Sequence, residues 1–300
     1  MLDCTGMQGT VRAVTGAIVV DSSDGQSVQF PVAELSVVLF GVGVSFTSGV
    51  IHRLTAAGIS ILFCDWKGVP ESCAYAWSKH GRVGARHLAQ SKVSIPRRKA
   101  LWAELVRAKI QGQASVLDAA GCQKSRALRR MVREVRSGDP QNLEGQAARA
   151  YWGSLFPDEG FTREARSGVG RNACLDYGYM ILRGHGIRAV LAAGLDPSIG
   201  VFHRGRSNGF NLVDDIIEPF RPAIDNAVLT LSASDSPSNP EVKQLIVAAA
   251  NGQFDESGST APTVLEQLAQ SIGKYFEGDI KTVAVPRWRR IAQTEPVRAI

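Results

Sequence analysis

The sequence pattern changes at about residue 90 from one typical of strands to one typical of helices, and this change constrains the fold more than any other feature. The first part contains short β-branched and aromatic runs separated by Gly, Pro and Ser turns, a pattern typical of strands. Strands are predicted at 10–14, 17–21, 27–31, 35–40 and 59–65, with one helix at 48–57. From residue 96 onward apolar residues recur at helical spacing. We therefore predict an α+β protein with a β-rich domain at 1–90, an all-α domain at 91–285 and a basic tail at 286–300.

Capping and stop residues divide the helical part. Asp139 followed by Pro140 is a typical N-cap with proline at the first helical position. Gly194 follows a run of small and apolar residues and is typical of a helix end. Helices are therefore predicted at 140–156 and 175–193, and amphipathic patterns predict two more at 241–250 and 263–276.

Composition describes an ordinary globular chain. Its 300 residues are 44% hydrophobic and 21% charged, which suits one or two domains. No apolar run approaches the length of a membrane span, and residues 1–14 lack the basic and apolar regions of an export signal. The five cysteines are an odd number without a C-x-x-C pair, which predicts free thiols and no zinc site. We expect a cytoplasmic protein without a membrane partner.

Positive charge is concentrated in one segment. Residues 97–136 contain eleven Lys and Arg against three acids, an excess larger than the +6 net charge of the whole chain. Helical spacing places five arginines on one face, opposite Leu128, Met131, Val132 and Val135: Arg126, Arg129, Arg130, Arg133 and Arg136. We interpret this face as a track for DNA phosphates, because a solvated face normally mixes charge signs. A merely soluble helix face is the alternative.

A second stretch, residues 194–222, combines a histidine with carboxylates. His203 closes a short apolar run, and Arg204 and Arg206 follow in a polar loop suited to holding a phosphate. Three acids come next, at a helical spacing that predicts one shared face: Asp214, Asp215 and Glu218. Such acids repel one another unless a cation lies among them. An imidazole with carboxylates suits Mn²⁺ or Mg²⁺.

This stretch resembles the signature of the CRISPR-associated endonuclease, the integrase subunit of the CRISPR adaptation complex, most closely in its type II branch. The matching text is GLDPSIGVFHRGRSNGFNLVDDIIEPFRP. The resemblance continues through LEGQAARAYWGSLFP (143–157), NACLDYGYMIL (172–182), RAKIQGQASVL (107–117) and GISILFCD (58–65). Because it covers nearly the whole chain, we interpret the protein as a member of this family, which implies the same β-then-α architecture.

The resemblance implies a set of metal ligands. In the family, the acid of the L-E-G-x-x-A-x-x-Y motif binds metal, so the implied ligands here are Glu144, His203 and Glu218. Asp214 and Asp215 match family acids that lie behind the ligands. Taken alone, Glu144 could equally stabilise a helix N-terminus, and His203 could be a structural histidine.

The resemblance also implies an activity and partners. A site of this kind uses Mg²⁺ or Mn²⁺, and the 3′-hydroxyl of a short foreign DNA fragment attacks the leader–repeat phosphodiester of a CRISPR array. With water as the nucleophile, the same site cleaves DNA. The implied partners are double-stranded DNA (the spacer precursor and the repeat), a second copy of the chain and a small companion adaptation protein. The RNA-guided effector nuclease of the same locus is a further candidate partner.

Two other interpretations and one departure stay open. The chain could be a branched-DNA nuclease or transposon-type integrase, or a non-catalytic DNA-binding scaffold with a structural acid cluster. The text ARSGVGRNACLDYGY lacks the acid usual ahead of Asn172, and Asp176 stands where asparagine is common. Arg171 could add a phosphate contact there, or the segment could change the dimer or DNA geometry.

Overall fold

Short strands build two small sheets in the N-terminal part of the chain. The computed structural model describes residues 1–66, 68, 70–76, 80–157, 160–165 and 167–290. The strands are β1 (Leu2–Cys4), β2 (Gly9–Val14), β3 (Ala17–Ser22), β4 (Ser27–Pro31), β5 (Val37–Phe40), β6 (Val44–Phe46), β7 (Ser60–Cys64) and β8 (Pro70–Ala74). One sheet has the order β1-β5-β7-β8, and the other has the order β4-β3-β2-β6.

Strand β5 lies inside its sheet and is buried on both faces. Its side chains alternate between two hydrophobic clusters, as the two-residue period of a strand requires. Val37 and Leu39 pack with the helices, whereas Val38 and Phe40 pack with the second sheet. The β1-β5-β7-β8 sheet is therefore the middle layer between the second sheet and the helical part, which explains why β5 reads as a continuous apolar run.

Ten α-helices are present in the described part of the chain. They are α1 (Ser48–Ala56), α2 (Val83–Lys92), α3 (Ile95–Ala119), α4 (Ser125–Glu134), α5 (Leu143–Leu155), α6 (Gly170–Ala192), α7 (Asn211–Ile216), α8 (Arg221–Leu229), α9 (Pro240–Asn251) and α10 (Ala261–Glu277). Helix α3 packs against α4, α5 and α8. A Cβ atom at Gly112 would lie 2.6 Å from Pro222 Cγ. Glycine therefore allows α3 to approach the start of α8 closely, at the point where the candidate site forms.

The structure confirms the α+β class and the order of its two parts. The predicted N-cap at Asp139 and helix start at Pro140 are wrong, because α5 begins at Leu143 with Asn142 as its N-cap. Asp139 instead has a positive φ of 48°, and its carboxylate accepts hydrogen bonds of 2.9 Å from the backbone N–H groups of Leu143 and Glu144. Asp139 thus stabilises the helix start from outside the helix, as a carboxylate at a helix N-terminus does.

The predicted boundary at residue 90 lies within α2, and the predicted boundary at residue 285 lies in an irregular segment. Helix α2 packs against α10, and Arg86 of α2 forms an ion pair with Glu277 at 3.2 Å. The division at residue 90 stays a prediction. Of the basic tail, residues 286–290 are irregular and bury Trp288, and residues 291–300 lie outside the described residues. None of the described helices is long and apolar enough to cross a membrane.

Candidate active site

A lysine joins two of the predicted ligands. Helix α3 supplies Lys109, α5 supplies Glu144, and a 3₁₀ turn before α8 supplies Glu218. Lys109 Nζ lies 2.6 Å from Glu144 Oε1 and 2.7 Å from Glu218 Oε2. The side chains of Lys109, Glu144 and Glu218 are 12%, 20% and 5% exposed. Two acids that are distant in the sequence therefore face one cation in a largely buried position.

The electrostatics of this cluster favour the charged forms of Lys109 and Glu218. Burial lowers the pKa of Lys109, but the charges of Glu218 and Glu144 outweigh it, so the pKa lies above its ordinary value. Burial raises the pKa of Glu218, but Arg221 and Lys109 outweigh it and hold the pKa below its ordinary value. Arg221 Nη2 lies 3.2 Å from Glu218 Oε1. Glu218 Oε2 is buried and accepts no well-aligned hydrogen bond from the described residues, although Lys109 Nζ is close.

His203 is held by Asp215. Asp215 of α7 is fully buried, and its Oδ1 lies 2.6 Å from His203 Nδ1. The same carboxylate accepts hydrogen bonds of 2.6, 2.9 and 3.2 Å from the backbone N–H groups of Val201, Phe202 and His203. With Asp215 as the acceptor, Nδ1 carries the proton, and in the neutral ring the lone pair is on Nε2. Asp215 thus contacts a predicted ligand, and the predicted role of Asp214 and Asp215 behind the ligands stays a prediction.

The pKa of His203 also depends on Glu144 and Glu218, which together with Lys109 form a group called the Lys109 cluster below. The hydrogen bond that His203 donates to Asp215 is the main cause that raises the pKa of His203, against the lowering effect of burial. The negative charges of Glu218 and Glu144 raise this pKa further. His203 is therefore within electrostatic reach of both acids, and its side chain is 42% exposed.

The predicted shared face of the three acids after His203 is wrong. Helix α7 ends at Ile216, and Glu218 begins a separate 3₁₀ turn, Glu218–Phe220. Asp214 points to Arg183, with 2.9 Å between Oδ1 and Nε, and accepts a 2.7 Å hydrogen bond from Asn208 Nδ2. Proline at 219 favours this break in the helix, since it cannot donate an internal hydrogen bond. In the part of the chain described, no three His, Cys, Asp or Glu side chains converge as a formed metal site.

Lys109 was not predicted from the sequence as a site residue. It lies within the RAKIQGQASVL motif, between the buried residues Ala108 and Ile110. A lone cation in a buried apolar stretch needs a negative partner, because an unpaired buried charge is unfavourable. This signal indicates that a partner exists, but only the fold identifies Glu144 and Glu218 as the two partners.

The donor set fits a hard divalent cation. Two carboxylates and one imidazole Nε2 are ligands that Mg²⁺ and Mn²⁺ accept. The structure already places a cationic group where Glu144 and Glu218 converge, and one Glu218 oxygen has no well-aligned donor from the described residues. Lys109 is the competitor at this position, and its flexible four-carbon side chain allows its ammonium group to move away.

The predicted arginine face is present in part. Arg126, Arg130 and Arg133 are exposed on α4, while Leu128 and Val132 are buried beneath it. Arg129 forms an ion pair with Asp118. Arg136 is exposed but does not share the helical face, because α4 ends at Glu134 and Val135 is extended. The prediction of five arginines on one helical face is therefore wrong for Arg136.

The altered segment at the start of α6 is used in packing. The Arg171 guanidinium donates a 2.9 Å hydrogen bond to Val228 O and lies 4.2 Å from the Phe156 ring centroid. Asp176, which replaces the usual asparagine, pairs with Arg163 at 2.5 Å. These contacts join α6 to α8 and to the segment after α5, so both residues have structural partners.

Comparison with known proteins identifies the family. The family described as CRISPR associated protein Cas1 matches residues 5–240. The chain belongs to the Cas1 family. It is 36% identical over 210 residues to the CRISPR-associated endonuclease Cas1 of Neisseria meningitidis serogroup C, covering 69% of this chain and 68% of the relative. It is 27% identical over 283 residues to a Pyrobaculum aerophilum CRISPR-associated endonuclease Cas1, covering 88% and 95%. The predicted family is confirmed.

Solved structures share the fold at low sequence identity. A casposase bound to integration product matches with a TM-score of 0.80 and 18% identity, covering 97% of this chain and 95% of that chain. A Cas1 protein from Thermotoga maritima matches with a TM-score of 0.75 and 20% identity, covering 92% and 97%. A Cas6-RT-Cas1–Cas2 complex matches with a TM-score of 0.74 and 17% identity, covering 97% of this chain and 36% of that chain.

Proposed function

We propose that this chain is the DNA endonuclease and integrase of a CRISPR adaptation complex, inserting short DNA fragments into a CRISPR array as new spacers. Family membership supports the assignment, as do curated relatives named CRISPR-associated endonucleases. The observation that carries it is the convergence of Glu144 and Glu218 on one cation, with His203 aligned by Asp215 nearby.

Glu144, His203 and Glu218 would hold Mg²⁺ or Mn²⁺ in this proposal. When bound, the ion supplies Lewis-acid stabilisation of charge on a phosphoryl oxygen. Asp215 fixes the His203 ring in the tautomer that leaves Nε2 as the donor atom. Arg221 holds Glu218 in its charged form, so the carboxylate stays available as a ligand.

The reaction is an exchange of phosphodiester bonds. The 3′-hydroxyl of the incoming fragment attacks a phosphorus atom at the leader–repeat junction, and a new P–O bond forms as the bond to the leader 3′ oxygen breaks. The attacking hydroxyl loses its proton, and the leaving oxygen gains one. The number of phosphodiester bonds is unchanged, so the step needs no ATP. Water as the nucleophile turns the same step into cleavage.

Basic side chains away from this cluster would position the DNA. The exposed arginines of α4 and the loop residues Arg204 and Arg206 are suited to phosphate contacts, which fix the register of a duplex without reading its sequence. We further propose a second copy of the chain and a small companion adaptation protein as partners in the cytoplasm. The fold shared with a protein solved in a Cas6-RT-Cas1–Cas2 complex supports the companion.

A transposon-type integrase is the second candidate function. The shared fold with a casposase bound to integration product favours it. Both functions use the same strand-transfer chemistry, so they differ in the target DNA alone.

A strand-transfer assay tests the proposal. A labelled fragment with free 3′-hydroxyl ends is incubated with the protein, its companion and either of two plasmids, one carrying the leader and repeat and the other a scrambled insert. We expect Mn²⁺- or Mg²⁺-dependent joining at the leader–repeat junction, lost in Glu144→Ala. Equal joining to both plasmids would favour the transposon-type integrase. DNA binding without any joining or cleavage would indicate that the protein is a non-catalytic DNA-binding scaffold.

A further inference from the structure

A small cavity of about 60 Å³ borders the Lys109 cluster on the side of α8. Lys109, Gln113, Tyr179, Arg221 and Asp225 are among its lining residues. A water-sized group needs about 10–15 Å³ of such volume, so an ammonium group has room in this cavity. Because Lys109 itself lines the cavity, its ammonium group can enter by rotation about side-chain bonds, without movement of α3.

Gln113 supplies an acceptor in the wall of this cavity. Its side chain is buried, at 3% exposure, and its Oε1 accepts no hydrogen bond from the described residues. A buried amide oxygen without a donor is unfavourable, so such an atom needs an explanation. Lys109 and Gln113 are four residues apart on α3, which places their side chains on one face with Cβ atoms about 5–6 Å apart. The lysine ammonium group can therefore reach this oxygen.

Asp225 supplies a carboxyl group on the same cavity. It is 1% exposed, and its two oxygens accept hydrogen bonds of 2.9 and 2.5 Å from the hydroxyl groups of Tyr151 and Tyr179. These donors are neutral, and burial raises the pKa of Asp225 to about 6. Each carboxylate oxygen can accept more than one hydrogen bond. A cation that entered the cavity would therefore compensate a charge that the tyrosines leave in place.

Two arginines also line the cavity, and each already pairs with a carboxylate. Arg163 Nη2 lies 2.5 Å from Asp176 Oδ1, and Arg221 Nη2 lies 3.2 Å from Glu218 Oε1. These pairs reduce the repulsion that the arginines exert on a third cation. Asp225, by contrast, has neutral hydrogen-bond donors, so the cavity offers one carboxylate to an ammonium group.

We propose that Lys109 is a displaceable counter-cation, whose ammonium group moves from Glu144 and Glu218 to Gln113 Oε1, facing Asp225, when a divalent ion binds the two acids. The inference rests on the proposed function, because it needs the metal site. Lys109 compensates the acids in the metal-free protein and moves by about one helical turn when metal replaces it. Gln113 is then a positioning residue, which acts on metal binding only through Lys109.

Calorimetric titration of the full chain with Mn²⁺ tests this role in a double-mutant cycle. Gln113→Met keeps the side-chain length but removes the acceptor, and should weaken Mn²⁺ binding about tenfold. Lys109→Met should strengthen Mn²⁺ binding, because it removes the competing cation. In the Lys109→Met protein, Gln113→Met should have no further effect. Gln111→Met is the matched control on a different face of α3 and should leave the Mn²⁺ affinity unchanged.

Two further measurements separate this role from a purely structural one. A crystal structure with Mn²⁺ should place Lys109 Nζ within hydrogen-bond distance of Gln113 Oε1 and away from both acids. The urea midpoint of metal-free Gln113→Met should equal that of the wild type. The proposal is overturned if Gln113→Met changes Mn²⁺ affinity equally with and without Lys109, or if Lys109 stays on the acids beside Mn²⁺. A lower midpoint with unchanged Mn²⁺ affinity would identify Gln113 as a structural residue and would also overturn it.

Failure of this inference can be distinguished from failure of the proposed function. Coupling between Lys109 and Gln113 in Mn²⁺ binding, in a protein without strand-transfer activity, would contradict the proposed function and support the inference. Mn²⁺-dependent strand transfer without this coupling would do the reverse. A wild-type protein and a Lys109→Met variant that both fail to bind Mn²⁺ would contradict the two proposals together.

Discussion

Lys109 Nζ lies 2.7 Å from Glu218 Oε2 in a position that solvent barely reaches, and the same nitrogen lies 2.6 Å from Glu144. Repulsion between acids alone would predict that removing either carboxylate leaves the metal-free protein as stable or more stable. The lysine reverses this expectation. Because Lys109 already compensates the two acids, the metal-free cluster is an ion-pair network in which removing one partner leaves a buried charge uncompensated, and which a divalent ion must rearrange.

Replacing Lys109 by methionine should destabilise the metal-free protein. The variant keeps a long side chain but leaves Glu144 and Glu218 without their shared cation, and breaking a buried ion pair costs about 3–5 kcal/mol. Divalent metal should restore much of this stability, since binding to the folded state alone stabilises it by mass action. Urea unfolding with a chelator and then with Mn²⁺ measures both effects. Lys92→Met, an exposed lysine at the end of α2, is the matched control and should change neither value.

Glu218→Ala should lower the stability of the metal-free protein. The substitution leaves Lys109 and Arg221 less compensated in a buried position. Thermal unfolding in a chelator checks the direction. A melting temperature at or above that of the wild type would show that repulsion between the acids dominates and that Lys109 does not compensate them.

Stability should also depend on the protonation of Asp225. Burial raises the pKa of Asp225 to about 6 from an ordinary 3.8, against hydrogen bonds from Tyr179 at 2.5 Å and Tyr151 at 2.9 Å. Between these two pH values the folded protein keeps a proton that the unfolded chain releases, so stability falls as pH rises through this window. The carboxylate then costs on the order of 3 kcal/mol at neutral pH.

The variant Asp225→Asn isolates this effect because it cannot titrate. The unfolding free energy of the wild type minus that of the variant, measured in urea from pH 4 to pH 7, should fall by on the order of 3 kcal/mol. A difference that stays flat across this range would show that Asp225 is charged throughout and held by its two tyrosines.

The exposed arginines of α4 should control the salt dependence of DNA binding. Each neutralised phosphate on duplex DNA contributes about 0.9 to the slope of log affinity against log salt concentration. Arg126→Glu with Arg133→Glu should weaken binding to all sequences alike and flatten this slope. Arg12→Glu, an exposed arginine of β2 that pairs with Asp21, is the control and should leave the slope unchanged. An unchanged slope in the α4 double variant would show that DNA binds to another surface of the protein.

Local patterns predicted much of this fold, and the errors have physical causes. The sequence pattern predicted β2, β3 and β4 because each of these strands spans five or six residues between clear turns. Strand β1 has only three residues and forms by parallel pairing with β5, so its own sequence carries no period to detect. The start of α5 was misplaced because Asp139 stabilises the helix from outside it.

The candidate site could be predicted only in part, for a related reason. The family motif located Glu144, His203 and Glu218, and their ligand roles stay predictions. The contact between Lys109 and two acids 35 and 109 residues away along the chain depends on how α3, α5 and the 3₁₀ turn pack. Helix α7 ends before Glu218, and Asp214 within it pairs with Arg183, and no helical spacing could indicate either feature.

The most direct test of the account is strand transfer by His203→Ala in Mn²⁺. Wild-type protein, Glu144→Ala, His203→Ala and Glu218→Ala are compared on one labelled fragment, with DNA affinity measured for each in parallel. We expect joining by the wild type, which a chelator abolishes, and no joining by the three variants. Most of the DNA affinity should remain in all of them, because phosphate contacts elsewhere supply it. Joining by His203→Ala at the wild-type rate, or joining that survives exhaustive chelation, would contradict the metal site proposed here.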